Sequence, residues 1–202
     1  VGALAASGRV VALSEMMNVP GVLYGDKEVV AKLEAANKYH LPIDGHSPGL
    51  VGKDLETYIK YGVSTDHECF SLDEAEEKIR SGMKILIREG SAARNYEGLK
   101  QLIGKYPDKL MFCTDDAHPD DIIERGHIDK MVRRAVADGF DLFDVLRIAT
   151  VNAIEHYQLN DVGRLQIGDK ADFIIVEDLV SFHTQKVFVN GTVRFDTDNE
   201  ER

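Results

Sequence analysis

Lys84-Ile85-Leu86-Ile87, followed at once by Arg88-Glu89-Gly90-Ser91, is the stretch on which the fold turns. The apolar run is the clearest buried strand in the chain, and charged and small residues appear where it stops. Helical spacing is found on both sides, over Leu72 to Arg80 before it and around Tyr96 to Lys105 after it. A strand between two helices, repeated, is the signature of a parallel sheet.

The same alternation extends outward. Upstream, Gly8 to Leu13 is a short apolar run ending at Ser14-Glu15, and Asp26 to Tyr39 places Val29, Val30, Leu33 and Ala36 on one helical face. Leu41 to Ile43 is the next strand, stopping at Asp44-Gly45-His46. Lys53 to Tyr61 is a helix, and a brief strand containing Val63 ends at His67-Glu68. Downstream, Lys109 to Cys113 is a strand stopping at Thr114-Asp115-Asp116, and helices over Ile128 to Ala137 and Leu142 to His156 close the series. No glycine-rich phosphate loop follows any strand, which disfavours the open nucleotide-binding sheets. Polar residues gather at the C-terminal strand ends, where (β/α) barrels keep their chemistry. The expectation is an α/β fold: a partial TIM-like barrel over 1–160, then part of a small β-domain over 161–202. A whole barrel has eight units and typically ~250 residues, so about five units imply that the first three lie outside this chain. With no initiator Met, the sequence reads as the middle of a longer protein.

The β-domain is read from Phe173-Ile174-Ile175-Val176 and from Val187 to Val193, where Asn190-Gly191 is a two-residue hairpin turn. Gly163-Arg164-Leu165 and Gly168 to Asp172 are also read as β-like. Asp196 to Arg202 is mostly charged and expected to fray.

Composition excludes some functions. With 24 Lys+Arg against 35 Asp+Glu the formal charge is -11, the wrong sign for a nucleic-acid or anionic-membrane partner. No apolar run approaches the ~20 residues of a membrane span. Cys69 and Cys113 are far apart and form no metal-type pair, which fits a reduced, cytoplasmic setting.

Four expected strand ends carry a metal-capable side chain: Glu15, His46, His67 and Asp115. Barrel strand ends converge on one point, so these four are expected to meet. Imidazole with carboxylate suits divalent zinc, manganese or iron. Such an ion lowers the pKa of water towards ~7, and a neighbouring carboxylate can then move the proton. Taken singly, each residue has a structural reading: an N-terminal carboxylate for Glu15, an N-cap for Asp115, a satisfied histidine for the others. The shared position in successive units favours the metal. His40, His156 and His183 lie off these positions and read as structural, as do His118 and His127. A buried Arg88–Glu89 pair at the rim, with Ser91 beside it, could grip a planar ligand or merely stiffen the loop.

Five motifs in this order, Ser14-Glu15-Met16-Met17-Asn18, Asp44-Gly45-His46-Ser47-Pro48-Gly49, Asp66-His67-Glu68, Arg88-Glu89-Gly90-Ser91-Ala92 and Cys113-Thr114-Asp115-Asp116, resemble those of the bacterial adenine deaminases of the amidohydrolase superfamily. The tail from Gly163 to Asp172 is similar to the β-domain that follows many amidohydrolase barrels. The resemblance implies metal-dependent hydrolysis of adenine to hypoxanthine and ammonia, in purine salvage, with manganese or iron. It makes Glu15 the bridging carboxylate after the fourth strand, and His46 and His67 the ligands after the fifth and sixth. Asp115 becomes the ligand and proton carrier after the eighth, Glu68 and Asp116 assisting carboxylates, and Arg88, Glu89 and Ser91 the substrate-binding rim. The family's paired histidines after the first strand, and its added C-terminal domain, are not in this chain. By itself the chain is therefore expected to hold metal poorly, to be weakly active or inactive, and to need a second copy or a companion segment. The rival readings are another cyclic amidohydrolase or aminated-base deaminase, and a non-catalytic purine-binding or interaction fragment.

Overall fold

The computed structural model describes residues 1–199; Glu200, Glu201 and Arg202, the end of the expected frayed tail, lie outside the described residues. After a short helix α1 (Gly2–Ala6), strand β1 (Leu13–Met16) leads into α2 (Val19–Leu23) and α3 (Lys27–Lys38). Then come β2 (Ile43–Gly45), α4 (Gly52–Lys60), β3 (Thr65–Asp66), α5 (Leu72–Arg80) and β4 (Lys84–Arg88). The series closes with α6 (Tyr96–Leu99), β5 (Leu110–Cys113), α7 (Pro119–Arg125), α8 (Ile128–Ala137), α9 (Leu142–Leu146) and α10 (Asn152–His156).

The barrel strands are parallel throughout, in the order of the sequence. β1 pairs with β2 in one sheet, and β3, β4 and β5 form a second. Between the sheets, among the described residues, an isolated bridge joins Ile43 to Val63 and the Ser64 N–H donates to the Ile43 carbonyl, so a seam runs between β2 and β3. The core divides along the same line. Met16, Leu33, Ile43, Tyr58 and Val63 pack in one cluster, and Ile85, Ile87, Leu99, Leu110 and Met131 in the other. Strand alternation explains the partition within β4: Ile85 and Ile87 point to the helices, and Leu86 points into the barrel interior beside Cys113. The amphipathic helices follow suit. Asp26 caps α3 by accepting from the N–H groups of Glu28 and Val29, and Val29, Leu33 and Ala36 face inward.

Several elements differ from the sequence reading. β1 occupies Leu13–Met16 rather than Gly8 to Leu13, because Gly8 turns the chain out of α1 at φ 67° and β2 offers partners only from Leu13 onward. Glu15 thus lies within its strand. The helix expected over Tyr96 to Lys105 tightens to a 3-10 turn at Lys100–Leu102. That over Leu142 to His156 passes through a π turn at Arg147–Val151, where the Thr150 hydroxyl donates to the Leu146 carbonyl.

Beyond α10, β6 (Phe173–Val176), β7 (Thr184–Val189) and β8 (Thr192–Asp196) form an antiparallel sheet, with Phe173 stacked on Phe188. Asn190 and Gly191, both at positive φ, make the expected hairpin turn. Gly163 to Leu165 and Gly168 to Asp172 are turns and coil rather than strands. The expected fraying does not hold for 196–198: Lys186 reaches both Asp196 and Asp198. Among the described residues, no helix is long and apolar enough to cross a membrane.

Candidate metal centre

Glu15, His46 and His67 project from the C-terminal ends of β1, β2 and β3, and one ligand atom from each lies within 4.8 Å of the others. Glu15 Oε2 is 3.2 Å from His46 Nδ1 and 3.0 Å from His67 Nε2. Glu68 Oε1 stands 3.5 Å and 3.4 Å from the same two nitrogens. Asp115 Oδ1, beyond β5, is 4.0 Å from His67 Nε2. Three carboxylates and two imidazoles thus share one pocket, and Arg88 supplies the cation the geometry gives them: its Nη1 bonds Glu68 Oε1 and, at 2.9 Å, Asp115 Oδ2.

The donor set fits a divalent ion. His67 Nε2 is buried, and the carboxylates around it offer no hydrogen bond of acceptable angle. A nitrogen so placed costs free energy unless something else takes its lone pair or proton. Imidazole nitrogen with carboxylate oxygen is borderline-to-hard ligation, suited to zinc, manganese or iron. A cavity of about 210 Å³ opens against the cluster, lined by Glu15, His67 and Asp115, with Asp44, Leu86 and Tyr157 deeper in the barrel. Cys113 also lines it, and burial, with Asp115 close by, pushes its thiol pKa up to about 12. That thiol stays protonated and adds no charge.

Residues to which the sequence reading gave no role hold this arrangement. Asn95 accepts from the Arg88 N–H at 2.6 Å and donates to the carbonyls of His67 and Cys69, tying the ends of β3 and β4 together. Asp44 accepts from Thr65 and Tyr157, fastening the chain after α10 to β2. Asp66 and Lys78, both fully buried, pair beneath the two histidine loops. Burial alone would raise the Asp66 carboxyl, but the Lys78 ammonium holds it below the usual range. Lys78 was visible in principle, as a charged residue at a core position of α5 between Ala75 and Ile79.

Of the expected rim, only Arg88 faces the cluster. The expected Arg88–Glu89 pair does not form, because neighbours on a strand point to opposite faces. Glu89 turns outward to Arg134 at 3.1 Å. Ser91 Oγ accepts from the His118 N–H. Asp116 lies one residue past the cluster, its Oδ2 accepting from the Ala92 N–H. His127 bonds Thr114, and His40 and His183 lie away from the cluster. His156 sits against Tyr157, with its buried Nε2 3.8 Å from Asp44.

The amidohydrolase family model matches residues 3–194. The chain belongs to this family. Amidohydrolases are metal-dependent, in keeping with the cluster just described. Among relatives, the chain is 59% identical over 179 residues to the adenine deaminase of Methanosarcina acetivorans, covering 89% of this chain and 32% of that protein. It is 57% identical over 181 residues to the adenine deaminase of Sulfurovum sp., covering 90% and 34%. The chain therefore spans about a third of the length of the curated relatives it matches. Among solved structures, N-acetyl-D-glucosamine-6-phosphate deacetylase from Mycobacterium smegmatis superposes with a TM-score of 0.69 at 14% identity, over 95% of this chain and 57% of that one. Beta-aspartyl dipeptidase from Fervidobacterium islandicum superposes at 0.65 and 16% identity, over 92% and 55%. These likenesses establish the amidohydrolase barrel fold, of which the chain holds the later strands.

Proposed function

We propose that this chain is the metal-holding part of an adenine deaminase, which hydrolyses adenine to hypoxanthine and ammonia in purine salvage. The observation that carries the reading is the meeting of Glu15, His46, His67 and Asp115 at one end of the barrel. The 59% identity to a protein of that name supports the substrate. Glu15, His46 and His67, with Asp115 beside them, would hold manganese or iron, zinc being the alternative. When bound, such an ion acidifies water enough to supply a nucleophile at neutral pH.

The remaining chemistry belongs to the side chains. Asp115 takes a proton from the attacking water and delivers it to the amine leaving C6, so water and adenine become ammonia and hypoxanthine. Glu68, between both imidazoles and Arg88, is placed to share that proton. Arg88 orients both carboxylates by bonding each of them. Of the rim, we assign contact with the base to Arg88; Glu89 and Ser91 shape the loop around it. Asp116, held by Ala92, acts on the loop rather than on the proton.

Leu4, Val11 and Met17 are exposed around β1. Apolar surface beside an unpaired strand edge suits a companion segment or a second copy of the chain. The free cysteines suit a reducing, cytoplasmic setting. The deciding test is ammonia release from adenine, with manganese or ferrous iron, by this chain joined to the N-terminal barrel segment of the Methanosarcina acetivorans relative. Turnover abolished by His67→Ala and by Asp115→Ala supports the assignment. With metal demonstrably bound and adenine untouched, the substrate assignment fails.

A further inference from the structure

Two of the motifs place a residue next to a candidate ligand for which the reaction has no use: Ser47 after His46, and Asp66 before His67. Both lead to Lys78. Asp66 Oδ1 accepts from the Ser47 N–H at 2.7 Å and from the Ser47 hydroxyl at 3.2 Å. Its Oδ2 accepts from Lys78 Nζ at 3.0 Å, from the Cys69 thiol at 3.0 Å and from the Glu68 N–H at 3.3 Å. Lys78 Nζ donates in turn to the Ser47 carbonyl at 2.6 Å and to Glu74 at 2.7 Å. Asp66, Ser47 and Lys78 are all fully buried.

Asp66, Cys69 and Glu74 lie close enough to one another to suggest a second ion site, but the Lys78 ammonium already occupies the cationic place among them. A buried ion pair is weak evidence of stabilisation, since desolvation offsets much of the attraction. What distinguishes this pair is where its bonds go. Both main-chain groups of Ser47 are captured, one by each partner, while Asp66 also fixes the loop that carries His67 and Glu68. The two histidines come from strands on opposite sides of the seam, where the Ile43–Val63 bridge and bonds from Ser64 and Thr65 join the strands below the histidines.

We propose that Asp66 and Lys78 are positioning residues, a buried bracket across the β2–β3 seam that holds His46 and His67 at ligand spacing. The inference rests on the metal reading above and assigns the pair no contact with substrate. A bracket of this kind sets affinity through ligand geometry, as outer-shell partners of metal ligands do, with losses of about 10–100-fold when they are removed.

The test is cobalt(II) binding to this chain joined to the N-terminal barrel segment of the Methanosarcina acetivorans relative, followed by its visible d–d absorption, with melting temperature recorded alongside. Asp66→Leu with Lys78→Met removes both charges together and avoids stranding either one. It should weaken cobalt at least about tenfold and alter the band shape. Asp66→Asn with Lys78→Met keeps an acceptor for the Ser47 N–H and should recover part of the loss. Leu102→Ala, in the other core cluster, should lower the melting temperature while leaving cobalt affinity unchanged. Wild-type affinity and spectrum in the folded Leu/Met variant would overturn the proposal; if that variant does not fold, the same result in the Asn/Met variant does so. If the joined wild-type protein takes up no cobalt, the metal reading fails instead. The bracket is then judged by the His46–His67 ring separation, 5.3 Å here, in a crystal structure of the variant. Retention of that separation overturns it, and widening upholds it.

Discussion

Asp115 adopts φ 43°, in the left-handed region, just past β5. A non-glycine residue is held there only when its surroundings over-determine it, and the Arg88 contact is one such constraint. Because this carboxylate is assigned to the proton, Asp115→Asn in the completed barrel should lower kcat by roughly 10²–10⁴-fold. A loss smaller than tenfold in steady-state ammonia release would remove it from that role. Arg88 tests a different quantity. Arg88→Met leaves Glu68, nine-tenths buried, without its cation, and should cost about 3 kcal/mol of stability in urea denaturation. Since Asp115 is a third exposed, its share of that cost is screened. Stability equal to wild type would mean that the Arg88–Glu68 pair contributes nothing to holding the fold.

At the scale of the elements, β2 is only three residues long and ends at Gly45. A Cβ at that position would lie 2.3 Å from the Thr65 carbonyl oxygen, which belongs to β3. Gly45→Ala should therefore push the two strands apart, costing about 1–3 kcal/mol in thermal unfolding and weakening cobalt binding as well. Unchanged cobalt affinity would show that His46 is placed independently of its strand. The sequence made α3, α5, α8 and β4 legible because pattern and burial agree over their length, with side-chain caps as well on α3 and α5. The convergence of Glu15, His46, His67 and Asp115 was legible for a separate reason: parallel strands in sequential order bring equivalent ends together. Short elements were not. α2 offers the Asn18 cap and a proline, α7 a proline near its first turn, and both have too few residues for a period. The partners of Arg88 and the role of Lys78 were hidden because they depend on which side chain lies across a loop, which no single-strand pattern encodes.

At the scale of the whole molecule, the ligand cluster draws Glu15 and His46 from one sheet and His67 and Asp115 from the other. An ion that binds the folded chain and not the unfolded one stabilises it by mass action, by about 2.7 kcal/mol at a hundred times Kd. Manganese should therefore raise the melting temperature and EDTA reverse it, more strongly in the completed barrel than in this chain alone; calorimetry with no shift in either would argue against the site. The seam has a consequence for cooperativity. With the core divided into two clusters, amide hydrogen exchange without metal should sort the backbone into two protection classes divided near Val63. A ligand gripping both sides penalises either half opening alone. Occupancy would thus be written into the exchange pattern as a merging of the two classes, long before any product is measured.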